Sequence, residues 1–262
     1  MKSQSPNNLQ RSTIKVAIIT ATYNASLHIK SCIASVIAQT HANTWHVIVD
    51  GESADDTLSI ISQCVSERII CVSEEDSGIY SAWNKGVKLI NAEWSLFLGA
   101  DDILLPWAVE SLVSQASCSC DINLVSGVSL LLRPDGRFAG LHGTAYSRKI
   151  LWHHMPISNC STIYHQTLFT NDYIFNEELR SAADYGFLME MRHQIKSKHL
   201  REVVSVMRLG GISNREVTLT MKESYYEKLR YYPRYSQPFL LLFYYFALVR
   251  YKLLMSLFGA TS

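Results

Sequence analysis

The chain has 262 residues, 48% hydrophobic and 18% charged, with a formal net charge of +1. That is enough apolar material for a full core, which excludes a disordered chain, and the near-neutral charge gives no global argument for nucleic acid as a partner. The six cysteines, Cys32, Cys64, Cys71, Cys118, Cys120 and Cys160, show no metal-site spacing and fit a reduced compartment.

Met1 to Thr13 is polar, carries Pro6 and Asn7-Asn8, and lacks the apolar centre of a signal peptide, so residues 1–13 are expected to be a disordered lead-in to a cytoplasmic protein. Lys15 to Ala21 is β-branched and apolar, a first buried strand ended by Thr22-Tyr23-Asn24. From Leu27 to Gln39 the apolar residues Ile29, Cys32, Ile33, Val36 and Ile37 share one helical face, with Asn24 or Ser26 as cap. Trp45 to Val49 is a second strand, running into Asp50-Gly51-Glu52-Ser53, and Asp55-Asp56-Thr57 opens a helix carrying Leu58, Ile60, Ile61 and Val65. Ile69 to Val72 is a third strand, Ser73 to Gly78 an acidic loop, and Ile79 to Asn91 a helix with Trp83, Val87 and Ile90 on one side.

The next stretch, Trp94 to Pro106, organises the rest. A short apolar run ends at Gly99-Ala100-Asp101-Asp102 and reads as a buried strand, Ser95 to Leu98, delivering two acids at its carboxyl end, where ligands of such sheets sit. Two adjacent carboxylates with no evident basic partner in sequence repel each other, and a divalent cation with oxygen ligands, Mn2+ or Mg2+, would compensate them. The alternative is that one of the acids caps a helix starting near Pro106. Strands alternating with helices predict a doubly wound, mostly parallel α/β sheet. No Gly-x-Gly-x-x-Gly follows the first strand and no P-loop pattern occurs, which removes the usual support for dinucleotide-binding or P-loop chemistry.

Past Pro106 the pattern predicts a helix to about Ser117, a strand over Ile122 to Leu132, a turn at Arg133-Pro134-Asp135-Gly136 and a return strand near Arg137 to Leu141. His153, His154 and His165 lack metal-site spacing and read as hydrogen-bonded core residues. Asp184 opens a helix rich in Phe, Leu and Met, either as its cap or as a catalytic group. Gly210-Gly211-Ile212-Ser213-Asn214 reads as a turn or a flexible lid. From Arg192 onward bases outnumber acids, and the chain ends in Phe239 to Phe258, apolar but interrupted by Arg250 and Lys252. Its charge-free part, Phe239 to Val249, falls short of the roughly 20 residues a spanning helix needs. It is expected to lie on a membrane surface, the Tyr225, Tyr226, Tyr231 and Tyr232 flank with Lys228, Arg230 and Arg234 fitting an interface. The other reading is a helix packed on this protein's own core or on a second subunit of a homo-oligomer.

Four blocks in order, Thr20-Ala-Thr-Tyr-Asn24, Val49-Asp-Gly-Glu-Ser-Ala-Asp-Asp-Thr57, Asp76-Ser-Gly-Ile-Tyr80 with Asn84-Lys-Gly86, and Phe97-Leu-Gly-Ala-Asp-Asp102, resemble the nucleotide-sugar-binding half of the family-two glycosyltransferases with the GT-A fold. The resemblance is strong to about residue 105, weaker through His165-Gln166, Ala183-Asp184-Tyr185 and Gly210-Gly211, and leans toward the bacterial enzymes of capsule, exopolysaccharide and O-chain synthesis. It implies a GT-A domain over 14–215 and a helical, membrane-associating extension over 216–262. It also implies that Thr20, Thr22, Tyr23, Asp50, Ser53, Asp76, Asn84, Lys85, Ala100, Asp101 and Asp102 hold the nucleoside-diphosphate sugar, a UDP-sugar first of all. By the same resemblance Asp50 accepts from the base, Asp101 and Asp102 stand at the metal position, and Asp184 stands where the family keeps its general base. The chain departs from the family at Gly99, which replaces the first acid of the Asp-x-Asp motif.

Sugar transfer from such a donor to a glycan or lipid-linked acceptor needs charge stabilisation on the departing diphosphate, from a metal and Lys85, and one base at the acceptor hydroxyl; displacement with inversion needs nothing more. Two other classes compete: a non-catalytic nucleotide-sugar-binding subunit, suggested by Gly99, and a metal-dependent phosphoryl or nucleotidyl transferase.

Overall fold

The computed structural model describes residues 13–64, 66–169, 174–211, 216–234 and 237–258, with side chains to residue 251. The lead-in 1–12, Val65 and the loop residues 212–215 lie outside the described residues.

β1 (Val16–Thr22) runs through the middle of the molecule because its β-branched residues can be buried on both faces: Val16 and Ile18 point to one side, Ala17 and Ile19 to the other, all fully buried. It pairs in parallel with β2 (Thr44–Asp50), from Val16 opposite Thr44 to Thr22 opposite Asp50, and with β4 (Trp94–Phe97) on its other edge. β3 (Ile69–Ser73) adds in parallel to β2. The carboxyl ends of all four strands therefore share one edge of the sheet.

Beyond β4 the sheet changes character. β8 (Thr162–His165) is antiparallel to β4, β6 (Leu124–Leu132) antiparallel to β8, and β9 (Ser197–Arg208) parallel to β6. The two-residue strand β5 (Ile103–Leu104) is antiparallel to β9, and β7 (Phe138–His142) forms the expected hairpin with β6. The order β3-β2-β1-β4-β8-β6-β9-β5 is a mixed sheet, which corrects the mostly parallel expectation. Parallel pairing needs a crossover of a dozen or more residues, and the chain supplies that alternation only up to β4.

Helices cover both faces. α1 (Ile29–Ile37) and α4 (Ala108–Ala116) bury Cys32, Val36, Leu112 and Val113 on the face that carries Ile18 and Leu96, and α2 (Thr57–Gln63) sets Ile61 against Ile29, Ile33 and Ile48. α3 (Ile79–Leu89) covers the other face so closely that a Cβ at Gly86 would run into Ile19. There Trp83 and Phe97 rings lie 4.7 Å apart, joined by Phe175 and Phe187. The expected cap of α1 is corrected: its first flanking residue is His28, with no side-chain cap, while Asn24 and Ser26 serve the loop bonds described below.

α5 is a single turn (Arg148–Leu151), and α6 (Ala183–Met191) buries Phe187, Leu188 and Met189. α7 (Val217–Tyr231) crosses α6 at Gly186, where a Cβ would stand 2.8 Å from Glu227 Oε2. The carboxylates of Glu223 and Glu227 are buried in that crossing. α7 is thus packed into the sheet-bearing body and not merely appended to it. α8 (Gln237–Phe258) lies on α7, Tyr225 stacking on Tyr244 with centroids 4.9 Å apart. No helix among the described residues is long and apolar enough to cross a membrane.

Candidate active site

The edge where β1 to β4 end is built from short polar loops braced against one another. Asp50, fully buried at the end of β2, accepts from Ser53 N at 2.9 Å and Ser73 Oγ at 2.9 Å on Oδ2, and from Ser53 Oγ at 2.5 Å on Oδ1. Ser53 Oγ in turn accepts from Asn24 N at 2.8 Å, and Asn24 Oδ1 accepts from Ala54 N at 2.9 Å. Asp55 takes Ser26 N at 3.1 Å and Thr57 N at 3.0 Å. Asn24 and Glu52 both have positive φ, 49° and 58°, the left-handed conformation that lets each strand end fold back sharply. Of the two carboxylate oxygens, Oδ2 takes two of these bonds and Oδ1 one. Beside it, the buried hydroxyl of Thr22 has no partner among the described residues, and Tyr23 stands 67% exposed.

Several residues expected at this edge have other duties. Thr20 points into the core, its hydroxyl 3.0 Å from His46 Nε2. Asn84 ties α3 to the segment after residue 174, donating to Phe175 O at 2.9 Å and Glu177 Oε1 at 2.8 Å and accepting from Phe175 N at 3.0 Å. Lys85 pairs with Glu74 at 3.0 Å and donates to Glu75 O. Asp76 accepts from Gly78 N at 2.9 Å, and burial pushes its carboxyl up. A Cβ on Gly51 would stand 2.9 Å from Asp76 Oδ2, so the β2 and β3 loops meet there. Ala100 packs partly against the Ile29, Ile33 and Ile48 cluster.

Asp101 and Asp102 lie at the end of β4 as expected, but they have a basic partner that the sequence did not show. Arg208, last residue of β9, gives its backbone N–H to Asp102 Oδ1 at 3.0 Å and its guanidinium to the carbonyl of Asp101 at 2.5 Å. Asp102 is only 7% exposed, and burial together with the charge of Asp101 pushes its carboxyl up to about 7. A Cβ at Gly99 would stand 2.8 Å from Asp102 Oδ2 and 2.9 Å from Asp101 Oδ1. The two acids thus occupy the space that an acidic side chain at position 99 would need. Two converging carboxylates still short of positive charge fit a hard divalent cation with oxygen ligands. Among the described residues no group of three or more His, Cys, Asp or Glu side chains completes a metal site, so the remaining ligands would come from the bound substrate or water.

Asp184 is the second residue of α6, and the residue flanking that helix is Ala182, with no side-chain cap. Asp184 is therefore not the cap residue itself, although its carboxylate takes one first-turn N–H, that of Tyr185. It accepts from Asn159 Nδ2 at 2.6 Å, from Tyr80 Oη at 3.1 Å and from the N–H of Tyr185 at 2.8 Å. Burial raises its carboxyl above the usual range, those bonds holding the rise back. Burial and the Asp184 charge hold the Tyr80 phenol well above 10, so it stays a proton donor. Asn159 is fixed in turn by Tyr164 Oη, at 2.6 Å.

Asp101, Asp102, Asn159 and Asp184 line a single cavity of about 560 Å³, with Arg208 and Lys228 also in its wall. Glu177, a carboxylate seven residues before Asp184, does not line it; it accepts from Asn84 and Ser77. Arg208, Asn159 and Tyr80 were missed as site residues. Only Tyr80 had a signal, its place in the Asp76 to Tyr80 block.

A mixed sheet with polar loops braced at one edge and carboxylates at the end of its fourth strand matches a glycosyltransferase fold. Residues 17–155 match the model of Glycosyl transferase family 2, and this chain belongs to that family. It is 30% identical over 207 residues to the PGL/p-HBAD biosynthesis glycosyltransferase of Mycobacterium bovis, covering 76% of this chain and 78% of that one. Over 197 residues it is 26% identical to the chondroitin synthase of Escherichia coli, 72% of this chain but 28% of the synthase. The fold is shared with S. aureus TarS in complex with UDP-GlcNAc, TM-score 0.66 at 20% identity over 82% of this chain and 64% of that one. It is shared also with the mannosyltransferase PcManGT of Pyrobaculum calidifontis in complex with GDP-Man and Mn2+, TM-score 0.64 at 15% identity over 89% and 70%. The protein is a glycosyltransferase.

Proposed function

We propose that the protein is an inverting enzyme that moves a sugar from a nucleoside-diphosphate sugar, foremost a UDP-sugar, to a glycan or lipid-linked acceptor in the assembly of a bacterial surface polysaccharide. The observation that carries this reading is the one cavity shared by Asp101, Asp102 and Asp184. Thr22, Tyr23, Asp50 and Ser53 hold the nucleoside, and Asp50 Oδ1 takes a hydrogen bond from the base. Asp76 and Lys85 close the diphosphate side, while Thr20 and Asn84 act from behind as supports. Asp101 and Asp102 would hold Mn2+ or Mg2+, which supplies charge neutralisation on the departing diphosphate, with Ala100 leaving room beside it. The acceptor oxygen bonds to the anomeric carbon on the face opposite the diphosphate, the bond from that carbon to the diphosphate oxygen breaks with its electron pair, and the hydroxyl proton passes to Asp184.

α8 attaches the protein to the inner face of the cytoplasmic membrane. The support is its outer side, where Phe239, Leu242 and Phe246 are 74%, 70% and 68% exposed in a row, more apolar surface than a solvated helix carries. The mycobacterial and chondroitin-synthase relatives, both named for the making of glycoconjugates, support the biosynthetic setting.

The test is a thermal-shift screen of UDP-, GDP- and dTDP-sugars with and without Mn2+, followed by assignment of the anomeric configuration of the product. A cation-dependent rise with one nucleotide series and an inverted product are expected. A product of retained configuration would contradict the mechanism.

A further inference from the structure

The cavity has two unlike halves. One holds the carboxylates of Asp101, Asp102 and Asp184. The other is walled by Val217, Met221 and Tyr225 of α7 and by Leu240, Tyr244 and Ala247 of α8. The α7 set recurs every four residues, with the small hydroxyls of Thr220 and Ser224 beside it, and the α8 set at four and three, so each helix turns one edge to the cavity, that of α8 apolar and that of α7 largely so. The edge of α7 that packs on α6 is a different one, carrying Glu223 and Glu227. Between the halves stands Lys228, whose ammonium donates to His153 O at 3.0 Å and lies over the Tyr185 ring at 5.6 Å. Thr22, Tyr23, Asp50, Ser53, Asp76 and Lys85, at the nucleotide edge, do not line this cavity. The apolar half is therefore set apart from the edge assigned to the donor's nucleoside and shares its cavity with Asp184.

We propose that the apolar half is the seat of the acceptor's aglycone, so that the enzyme takes saccharides carrying an alkyl or aryl tail, the tail lying between α7 and α8 and the sugar hydroxyl reaching Asp184. This rests on the transferase reading. Free sugars would leave the Met221 to Tyr244 surface wet and would bind poorly, since hydrophobic burial along the tail supplies the affinity. The occupant is distinct from the bilayer itself, which would meet the opposite side of α8, at Phe239, Leu242 and Phe246. At about 560 Å³ the cavity has the size of a small-ligand site and room for only part of a long chain.

The probe is octyl β-D-glucoside bearing a terminal diazirine, photolysed with the full chain in the absence of membranes and below the detergent's micelle concentration. Labels are expected on Val217, Met221 and Tyr225 and on Leu240, Tyr244 and Ala247. They should fall roughly tenfold with excess octyl glucoside and not with glucose, a difference of about 1.4 kcal/mol in competition. Ala247→Phe, which fills the groove, should abolish the saturable label, and Phe246→Gln on the outer side should keep it. Labels mainly at Phe239, Leu242 and Phe246, equal protection by glucose, or no saturable label would overturn the proposal. The donor thermal shift, measured on the same preparation, separates the cases. Donor binding without cavity labelling removes only the aglycone seat, and a chain that binds no nucleotide sugar removes the transferase mechanism beneath it.

Discussion

The carboxylate of Glu223 accepts the backbone N–H of Ala182 at 3.0 Å, two residues before Asp184, and takes those of Arg180 and Ser181 at 3.0 and 2.9 Å as well. A side chain from α7 thus supplies the acceptor for the N–H groups that lead into α6, where Ala182 cannot cap. Glu223→Gln keeps the shape but turns a donor toward those N–H groups. It is expected to lower stability by about 1–3 kcal/mol, read by chemical denaturation. It should also lower kcat roughly tenfold, with the donor dissociation constant unchanged. Loss of stability with kcat intact would limit Glu223 to folding.

Chelation is expected to weaken donor binding, and Asp101→Ala to make donor affinity insensitive to the chelator. Isothermal titration of the nucleotide sugar with and without EDTA reads both. A parent protein whose affinity ignores the chelator would remove the cation from Asp101 and Asp102.

His46 gives a pH dependence. Burial pushes its imidazole down to about 3, and Thr20 is the ring's one hydrogen-bonding partner among the described residues. Below the unfolded value of about 6.5 the unfolded chain takes up a proton that the folded chain refuses. Stability from this group is complete above that value and lost as pH falls toward 3, about 2 kcal/mol of it by pH 5. His46→Gln should flatten that part of the stability curve; an unchanged slope between pH 7 and 5 would place the effect elsewhere.

Removing residues 239–262 is expected to release the protein from membranes of a bacterial lysate. Donor binding should survive, because the bonds that brace Asp50, Asp101 and Asp102 come from Ser53, Ser73 and Arg208 and none of them from α8. Acceptor turnover should fall, since Leu240, Tyr244 and Ala247 leave the cavity wall. Fractionation with a donor thermal shift reads both, and a truncated chain still sedimenting with membranes would contradict the role of α8.

The first half of the fold was legible because each of its strands is a local apolar run closed by turn chemistry: Val16 to Thr22, Thr44 to Asp50 and Trp94 to Phe97 stand within a residue or two of expectation. Asp101, Asp102 and Asp184 were legible as acids at element ends. What sequence could not show were pairings between distant segments. Arg208 reaches Asp102 across 106 residues and Asn159 reaches Asp184 across 25. Neither carries a local pattern that marks it. The mixed sheet escaped for the same reason, since the direction of β8 and β6 depends on how the chain returns and not on alternation within either strand. Glu223 falls in a stretch where bases outnumber acids, with nothing local to mark it; only the crossing at Gly186 shows that it is buried.

The account turns on Asp184 as the base. An acceptor hydroxyl is a weak nucleophile at neutral pH, and a carboxylate held at the site contributes on the order of 10² to 10⁴ in rate. Asn at this position keeps one acceptor oxygen, enough for the Tyr80 and Tyr185 bonds that Oδ1 of Asp184 takes, and gives up only the Asn159 bond on Oδ2, so fold and donor binding are expected to persist. Glu177→Gln is the control, since Glu177 stands outside the cavity wall. The deciding measurement is the transfer rate of Asp184→Asn with donor at saturation, beside the parent and Glu177→Gln. The predicted result is a loss on the order of 10² to 10⁴ for Asp184→Asn alone. A rate close to that of the parent would take Asp184 out of the mechanism.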